Sequence, residues 1–415
     1  MTNQTMVMGT PGKRNVEDSA QILKTCYLIE RELMRTLGGY HVNLDNWTLK
    51  TRLPRHVWED SLRADALRTR VLEMRYPRRD VDTGHHPHLL RWLSMLIRCA
   101  DDAELIEGVY FAAKRYLLMR YEAYLDTADK LEDAPTFAFM QSFIPQLRQQ
   151  LSEAEMWYVA LPEARKPENR SWQAGFTASI DKEDVVIPGD DRNPYVPPLA
   201  PKRDTRFTPA AYHMPPRNPE RFIERQIWQG INHTNEIWAT EAPFLVMWQW
   251  TDMPWEFYLD MARWGYDESR HCLMGEERLL AWGFEPGVHY PVVGDHYMSV
   301  SESGELAVMA LLHRFETSGP AWKSGLKKDF EVMGDLSSSQ DFDYDWADES
   351  IHLAYGHKWV LHKLGGNIDA YEDLLDEVYE RWDEWIAAKH KTWDYEPFMS
   401  RIQSRIVELE GANIE

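Results

Sequence analysis

Apolar residues recur every three or four positions along most of the chain, the spacing that lays one apolar stripe along an α-helix, and strand-like alternation is scarce. The fold class that follows is all-α. The helical pattern runs from about 18 to 158 and again from 219 to 391. Residues 1–17 read as a flexible N-terminus and 392–415 as a C-terminal tail. Between the two helical regions, 159–218 is polar and holds roughly half of the 23 prolines, a composition that predicts an extended linker.

Punctuation divides the second region. Asn218 and Pro219 predict a helix start, with the helix running to about Trp250. Asp252 and Pro254 open a second helix, which Gly283 and Pro286 close. A third begins near Ser303. Ser337–Ser339 cap a fourth that ends at Gly365 and Gly366, and a fifth spans about 369–391. Four long helices with short connections predict an antiparallel bundle.

Within that bundle a motif is written twice: "DESRH" from Asp267 and "DESIH" from Asp348. Residues three apart share a helix face, so Glu268 with His271, and Glu349 with His352, each aim a carboxylate and an imidazole at one point. A single Glu-x-x-His is usually a surface pair; two in shared context are not easily a coincidence. Glu236 precedes Glu268 by 32 residues and Glu316 precedes Glu349 by 33, each with a histidine three positions earlier, His233 and His313. At about 1.5 Å rise per residue, Glu236 and Glu268 fall at one height on neighbouring antiparallel helices. Glu241, about a turn nearer the loop, is the alternative ligand. Four helices thus offer Glu, Glu-x-x-His, Glu and Glu-x-x-His, the donor set of di-iron and di-manganese carboxylate bundles. Asp267 and Asp348 are expected to hold the outer ring nitrogens of metal-bound histidines.

On these motifs the chain resembles the ferritin-like di-iron carboxylate superfamily. Its DESRH and DESIH segments resemble those of bacterial multicomponent monooxygenase hydroxylases, and the small subunit of ribonucleotide reductase shares the general plan. The resemblance covers roughly 219–365 and implies a ferritin-like four-helix bundle. It makes Glu236, Glu268, His271, Glu316, Glu349 and His352 ligands of two iron ions, manganese or a mixed Mn/Fe pair being alternatives. Ile351 stands where the monooxygenase motif has arginine, a departure from that subgroup. Gly275 and Gly356 follow the two histidines by one turn, either for close helix packing or for space near the metals. No tyrosine stands one turn after His271 to store a radical. Gly319-Pro320, just after Glu316, predicts a kink.

Residues 18–158 read as a worn copy of the same bundle. "NWTLKTRLPRHVWEDSLRAD" aligns with "PWEFYLDMARWGYDESRHCL" so that Asp60 replaces a ligand Glu and Arg63 a ligand His. Arginine stays protonated, so this copy is expected to bind no metal. The cluster His85, His86 and His88 lies in a predicted loop without partnered acids and reads as structural.

Composition narrows the function. A net charge of −21 excludes a general nucleic-acid footprint and disfavours anionic membranes. Cys26, Cys99 and Cys272 form neither a disulfide framework nor a thiolate zinc site. No apolar run resembles a signal peptide or a membrane span, so a cytoplasmic location is expected. The expected activity is a di-iron oxygenase or oxidase that uses O2 to hydroxylate or N-oxygenate a small organic substrate. An electron donor such as a reductase or ferredoxin would serve it, and a homodimer is compatible. Trp238, Trp264 and Phe315 are candidates to line the substrate pocket. The alternatives are a ferroxidase or iron-handling protein, and a non-catalytic binding protein stabilised by metal.

Overall fold

The computed structural model describes residues 14–84, 86–183, 185–207, 219–292, 296–392, 394 and 396–412. Among these the chain is all-helical, without a named strand. In chain order the helices are α1 Val16–His41, α2 Trp47–Glu73, α3 Pro87–Met95, α4 Asp102–Leu105, α5 Arg115–Thr127, α6 Ala134–Ala160 and α7 Ser171–Ser179. They continue with α8 Phe222–Thr234, α9 Ile237–Gln249, α10 Trp255–Ala281, α11 Glu305–Glu316, α12 Gly319–Met333, α13 Leu336–Lys363, α14 Ile368–His390 and α15 Glu396–Ala412. Between α4 and α5, Ile106–Lys114 is wound as a π-helix. No helix among the described residues is long and apolar enough to cross a membrane. The three cysteines are free and buried.

The chain divides into two compact units, 1–34 with 59–194, and 35–58 with 195–415. The sequence pattern assigns 18–158 to one bundle; instead, the middle of the α1–α2 hairpin, 35–58, clusters with the second unit. Lys50 shows why: its Nζ donates to Glu241 Oε1 at 2.6 Å and to the Lys202 carbonyl at 2.8 Å. The expected linker contains α7, whose Trp172 and Phe176 are buried.

In the second unit α10 packs on α8 and α9, and α13 on α11 and α12; contacts of α10 with α13 and of α9 with α11 close a ring of four rods. Two of the rods are broken where a ligand candidate sits. The predicted single helix from 219 to 250 is interrupted at Asn235 and Glu236, and the third stops at Glu316 before restarting at Gly319. Asn218, its predicted cap, lies outside the described residues. At the first break Thr234 Oγ1 and Asn235 Nδ2 donate to the Gly230 and Ile231 carbonyls, and the Glu236 N–H turns to the His233 carbonyl three residues back, at 2.9 Å. Asp335 caps α13 by accepting from the Ser338 N–H at 3.1 Å, in place of the expected serines. The expected C-terminal tail is also helical: Phe398, Ile402 and Ile406 of α15 are buried in a core with Trp228, Ile231, Cys272 and Leu279.

The glycines one turn after the motif histidines are for packing. A Cβ at Gly275 would collide with the Gly230 carbonyl oxygen, and one at Gly356 with the His313 ring.

Candidate metal centre

Glu236, Glu268, His271, Glu316, Glu349 and His352 come from all four rods and are all brought into overlapping groups of candidate metal-binding atoms. Glu236, Glu268 and His271 form one such group, Glu268, Glu316 and His352 another, and His271, Asp345 and Glu349 a third, the atoms of each within 4.8 Å of one another. Glu268 belongs to two such groups, as do Glu236, His271 and Asp345, so the groups form one connected cluster. His271 Nδ1 lies 3.4 Å from Glu236 Oε2, 3.5 Å from Glu268 Oε2 and 3.6 Å from Asp345 Oδ1. His352 Nδ1 lies 3.1 Å from Glu268 Oε1 and 3.9 Å from Glu316 Oε1. An octahedron with bonds of about 2.1 Å has edges of about 3 Å, close to these spacings.

The donor atoms also fit a cation by what they lack. Glu236 Oε2, His271 Nδ1, Glu316 Oε2, Asp345 Oδ1 and His352 Nδ1 are buried and make no hydrogen bond. A buried polar atom without a partner costs about 1–3 kcal/mol, and five around one point call for a ligand that each can bind. Two divalent ions, together with the Lys323 ammonium, would balance the five carboxylates of Glu236, Glu268, Glu316, Asp345 and Glu349. Imidazole with carboxylate suits a first-row transition metal.

Asp267 and Asp348 act across the rods. Asp348 of α13 faces His271 Nε2 of α10 at 3.3 Å, and Asp267 of α10 faces His352 Nε2 of α13 at 3.5 Å. Arg270 donates to Asp267 at 2.7 Å and Asp348 at 3.0 Å, and Arg263 braces the same pair. For His271, whose Nε2 hydrogen-bonds Asp348, the ring tautomer that leaves Nδ1 free for a cation is thereby set. Asp348→Asn is expected to weaken cation binding by about 10- to 100-fold while the fold persists, as read by metal titration and circular dichroism.

Glu241, the alternative ligand, is excluded by its partners: it accepts from Lys50 and from Arg203 at 2.6 and 2.9 Å, a buried ion cluster of its own. Two participants carry no mark in the repeat. Asp345, one turn before Glu349, accepts from His233 Nε2 at 2.7 Å through Oδ2 and turns Oδ1 toward His271. Lys323 of α12 donates to Glu236 Oε1 at 2.7 Å and Asp345 Oδ2 at 2.5 Å. The only sequence signal for Asp345 was its place one turn before a ligand on the same face. His313, by contrast, bonds the Tyr371 hydroxyl at 2.5 Å.

Protons stand in for cations in this cluster. Burial opposes charge on His271, but Asp345, Asp348, Glu236 and Glu268 outweigh it and raise its pKa well above the usual value. Against the same burial, Asp267 and Glu268 lift His352 to about 9. Burial, then Glu349 and Glu268, push Glu316 well above the carboxylate range. Burial opposes ionisation of Glu268 too, yet the two imidazoles hold it below its usual value. Cations must displace these protons, so binding is expected to release protons and to tighten from pH 6 to 9. Raised folded-state values also mean that the metal-free chain loses stability over the same interval, from the unfolded histidine value to about 9. Calorimetric titration in buffers of different ionisation enthalpy counts the protons.

A cavity of about 660 Å³ opens on the centre. Glu236, Glu268, Glu316 and Glu349 line it together with the aromatic side chains Trp238, Phe315, Trp322 and Phe342. Trp238 and Phe315 therefore lie where the sequence placed them. Trp264 does not line it: its ring stacks on His352 with centroids 5.2 Å apart, and its Nε1 donates to Glu268 Oε1 at 3.0 Å. Gly319 leaves room for one ligand candidate, because a Cβ there would collide with Glu349 Oε2. Gly319→Ala is expected to displace that carboxylate and lower cation affinity at least tenfold without unfolding the bundle, measurable by the same titration.

Of the histidine cluster, His88 Nε2 bonds the Ser179 and Ile180 carbonyls and His86 Nε2 lies 3.4 Å from Thr25 Oγ1, both structural roles; His85 is outside the described residues.

No curated protein and no solved structure matches the chain. A family model does, described as "Protein of unknown function (DUF455)", over residues 164–389. That span covers more than half of the 415 residues and contains every ligand candidate, so the chain belongs to this family.

Proposed function

We propose that the second unit is a ferritin-like di-metal bundle and that the protein is an O2-dependent di-iron oxidoreductase acting on a small organic molecule. The observation that carries this reading is the convergence of two Glu-x-x-His pairs and two further glutamates on five unpartnered buried donor atoms. Glu236, His271 and Asp345 would hold one ion, Glu316 and His352 the other, with Glu268 and Glu349 between them. Two such ions, when bound, supply electrons to dioxygen beside the substrate.

The chain's own residues do the rest. Trp264 covers the far face of His352 and fixes Glu268 by its indole N–H, closing that side to water. Trp238 and Phe315 pack edge to face at 5.5 Å and offer an apolar wall for a substrate body. Asp267 and Asp348 hold the imidazoles in one orientation, so the donor set is preorganised. A cavity of about 660 Å³ with this wall favours an organic substrate over iron as cargo.

Elemental analysis and oxygen uptake test the reading. Two irons or manganese per chain, and dioxygen consumption on ferrous loading, support it. One zinc per chain with no oxygen uptake overturns it. Sustained oxidation of many irons per chain without an organic substrate would establish the iron-handling alternative.

A further inference from the structure

The repeat that relates the two halves of the centre breaks down at two positions. Glu236 and Glu316 are 80 residues apart, and Glu268 and Glu349 are 81 apart. By the same offsets Asp345 corresponds to Trp264, and Lys323 corresponds to Pro243. One half therefore has an indole where the other has a carboxylate, and only one half has an ammonium. Lys323 and Asp345 are both buried.

Resting on the di-metal reading, we propose that Lys323 makes the two cation positions unequal. The position at Glu268, Glu316 and His352 fills first, and the position at Glu236, His271 and Asp345 takes its ion more weakly.

Each carboxylate of the weaker position already carries a cation. Lys323 Nζ lies 2.7 Å from Glu236 Oε1 and 2.5 Å from Asp345 Oδ2, and reaches Glu349 Oε1 at 3.7 Å. His233 bonds the same Asp345 oxygen. The charge that Asp345 adds is thus spent on Lys323, and only its Oδ1 turns inward. At the other position Glu268 takes a neutral indole N–H, and the ion pairs of Lys323 go to Glu236, Asp345 and Glu349 rather than to Glu316. A divalent ion entering beside Glu236 must face the ammonium across a few ångströms in a site of low dielectric, where like charges repel strongly. Its one other course is to push the lysine head into the cavity that Lys323 lines. Either lowers affinity for that ion more than for its neighbour, where the ammonium reaches only Glu349 and at 3.7 Å.

The test is a stepwise titration of the metal-free full chain with Mn²⁺, followed by calorimetry and by counting bound ions. Two steps are expected, separated by more than tenfold in dissociation constant. His271→Ala should remove the weak step and keep the tight one; His352→Ala should do the reverse. Lys323→Met should tighten the weak step more than tenfold and leave the other within about threefold, while Lys323→Arg should preserve the gap. Two equal steps in the unaltered chain, or loss of the tight step in His271→Ala, overturns the proposal. So does an unchanged gap in folded Lys323→Met. Should that variant not fold, the unaltered chain and the histidine variants still decide the assignment. Binding of no ion, or of one at most, overturns the di-metal reading itself and is thereby distinguished from a failure of the asymmetry alone.

Discussion

Replacing His271 and His352 together by alanine is expected to take the bound metal from two ions per chain to none and to lower dioxygen consumption at least a thousandfold. Both imidazoles are buried, and on the proposed reading each would be the nitrogen donor to one cation. Removing them also frees Asp348 and Asp267 from the rings they orient. The remaining acids then have Lys323 as the cation among them and would take up protons instead of metal, since Glu316 already tends that way. Circular dichroism should stay helical, because the rods are held mainly by apolar contacts elsewhere, as in the core of Trp228, Leu279 and Ile402. Glu241→Gln is the control: that carboxylate serves Lys50 and Arg203, so the variant should lose stability yet keep both ions. Retention of two ions by the double histidine variant would remove the basis for the proposed chemistry.

The centre was legible in the sequence to the extent that it repeats. Glu236, Glu268 and His271 recur as Glu316, Glu349 and His352 at a nearly constant offset, and helical spacing alone turns each set inward. Asp267 and Asp348 share the repeat, but it does not say that each braces the histidine of the other half; that depends on how α10 and α13 pack. Lys323 and Asp345 were hidden because they break the repeat and meet from separate helices. The helix α15 was legible in principle, since Phe398, Ile402, Ile406 and Leu409 recur at helical spacing, though short apolar stripes near a terminus resemble a tail. The breaks at Glu236 and Glu316 each follow or precede a threonine, Thr234 and Thr317, whose hydroxyl bonds a backbone carbonyl. Hydrogen bonds of that kind are made by side chains that also occur in unbroken helices, so periodicity does not report them.

The first unit meets the same electrostatic problem with fixed cations. Glu30, Asp60 and Gln150 converge from α1, α2 and α6, and the interior positive charges are Arg63 and Lys114. Arg63 Nε donates to Glu30 at 2.5 Å, and its head also bonds Asp60. Lys114, on the π-helical turns, donates to Asp60 at 2.7 Å and Gln150 at 2.6 Å. In the sequence alignment Asp60 and Arg63 fall opposite Glu268 and His271, and Arg63 is a side chain that cannot lose its proton.

Arg63→Met is therefore expected to destabilise this unit by about 3–5 kcal/mol, the usual result of leaving a buried charge without its partner. Glu30, Asp60 and Arg63 are all 0% exposed, so solvent offers the stranded carboxylates nothing. Tyr121 still donates to Glu30 at 2.7 Å, and Lys114 still neutralises Asp60, which leaves Glu30 as the group in excess. Adding Glu30→Gln to Arg63→Met should accordingly recover part of the loss, because an amide costs less to bury than an unpaired carboxylate. Urea unfolding measures both effects. Equal stability of Arg63→Met and the unaltered chain would mean that these cations do not hold the unit together. Metal content separates the two units: Arg63→Met should keep two ions per chain while the unfolding midpoint falls, whereas the double histidine variant should hold none.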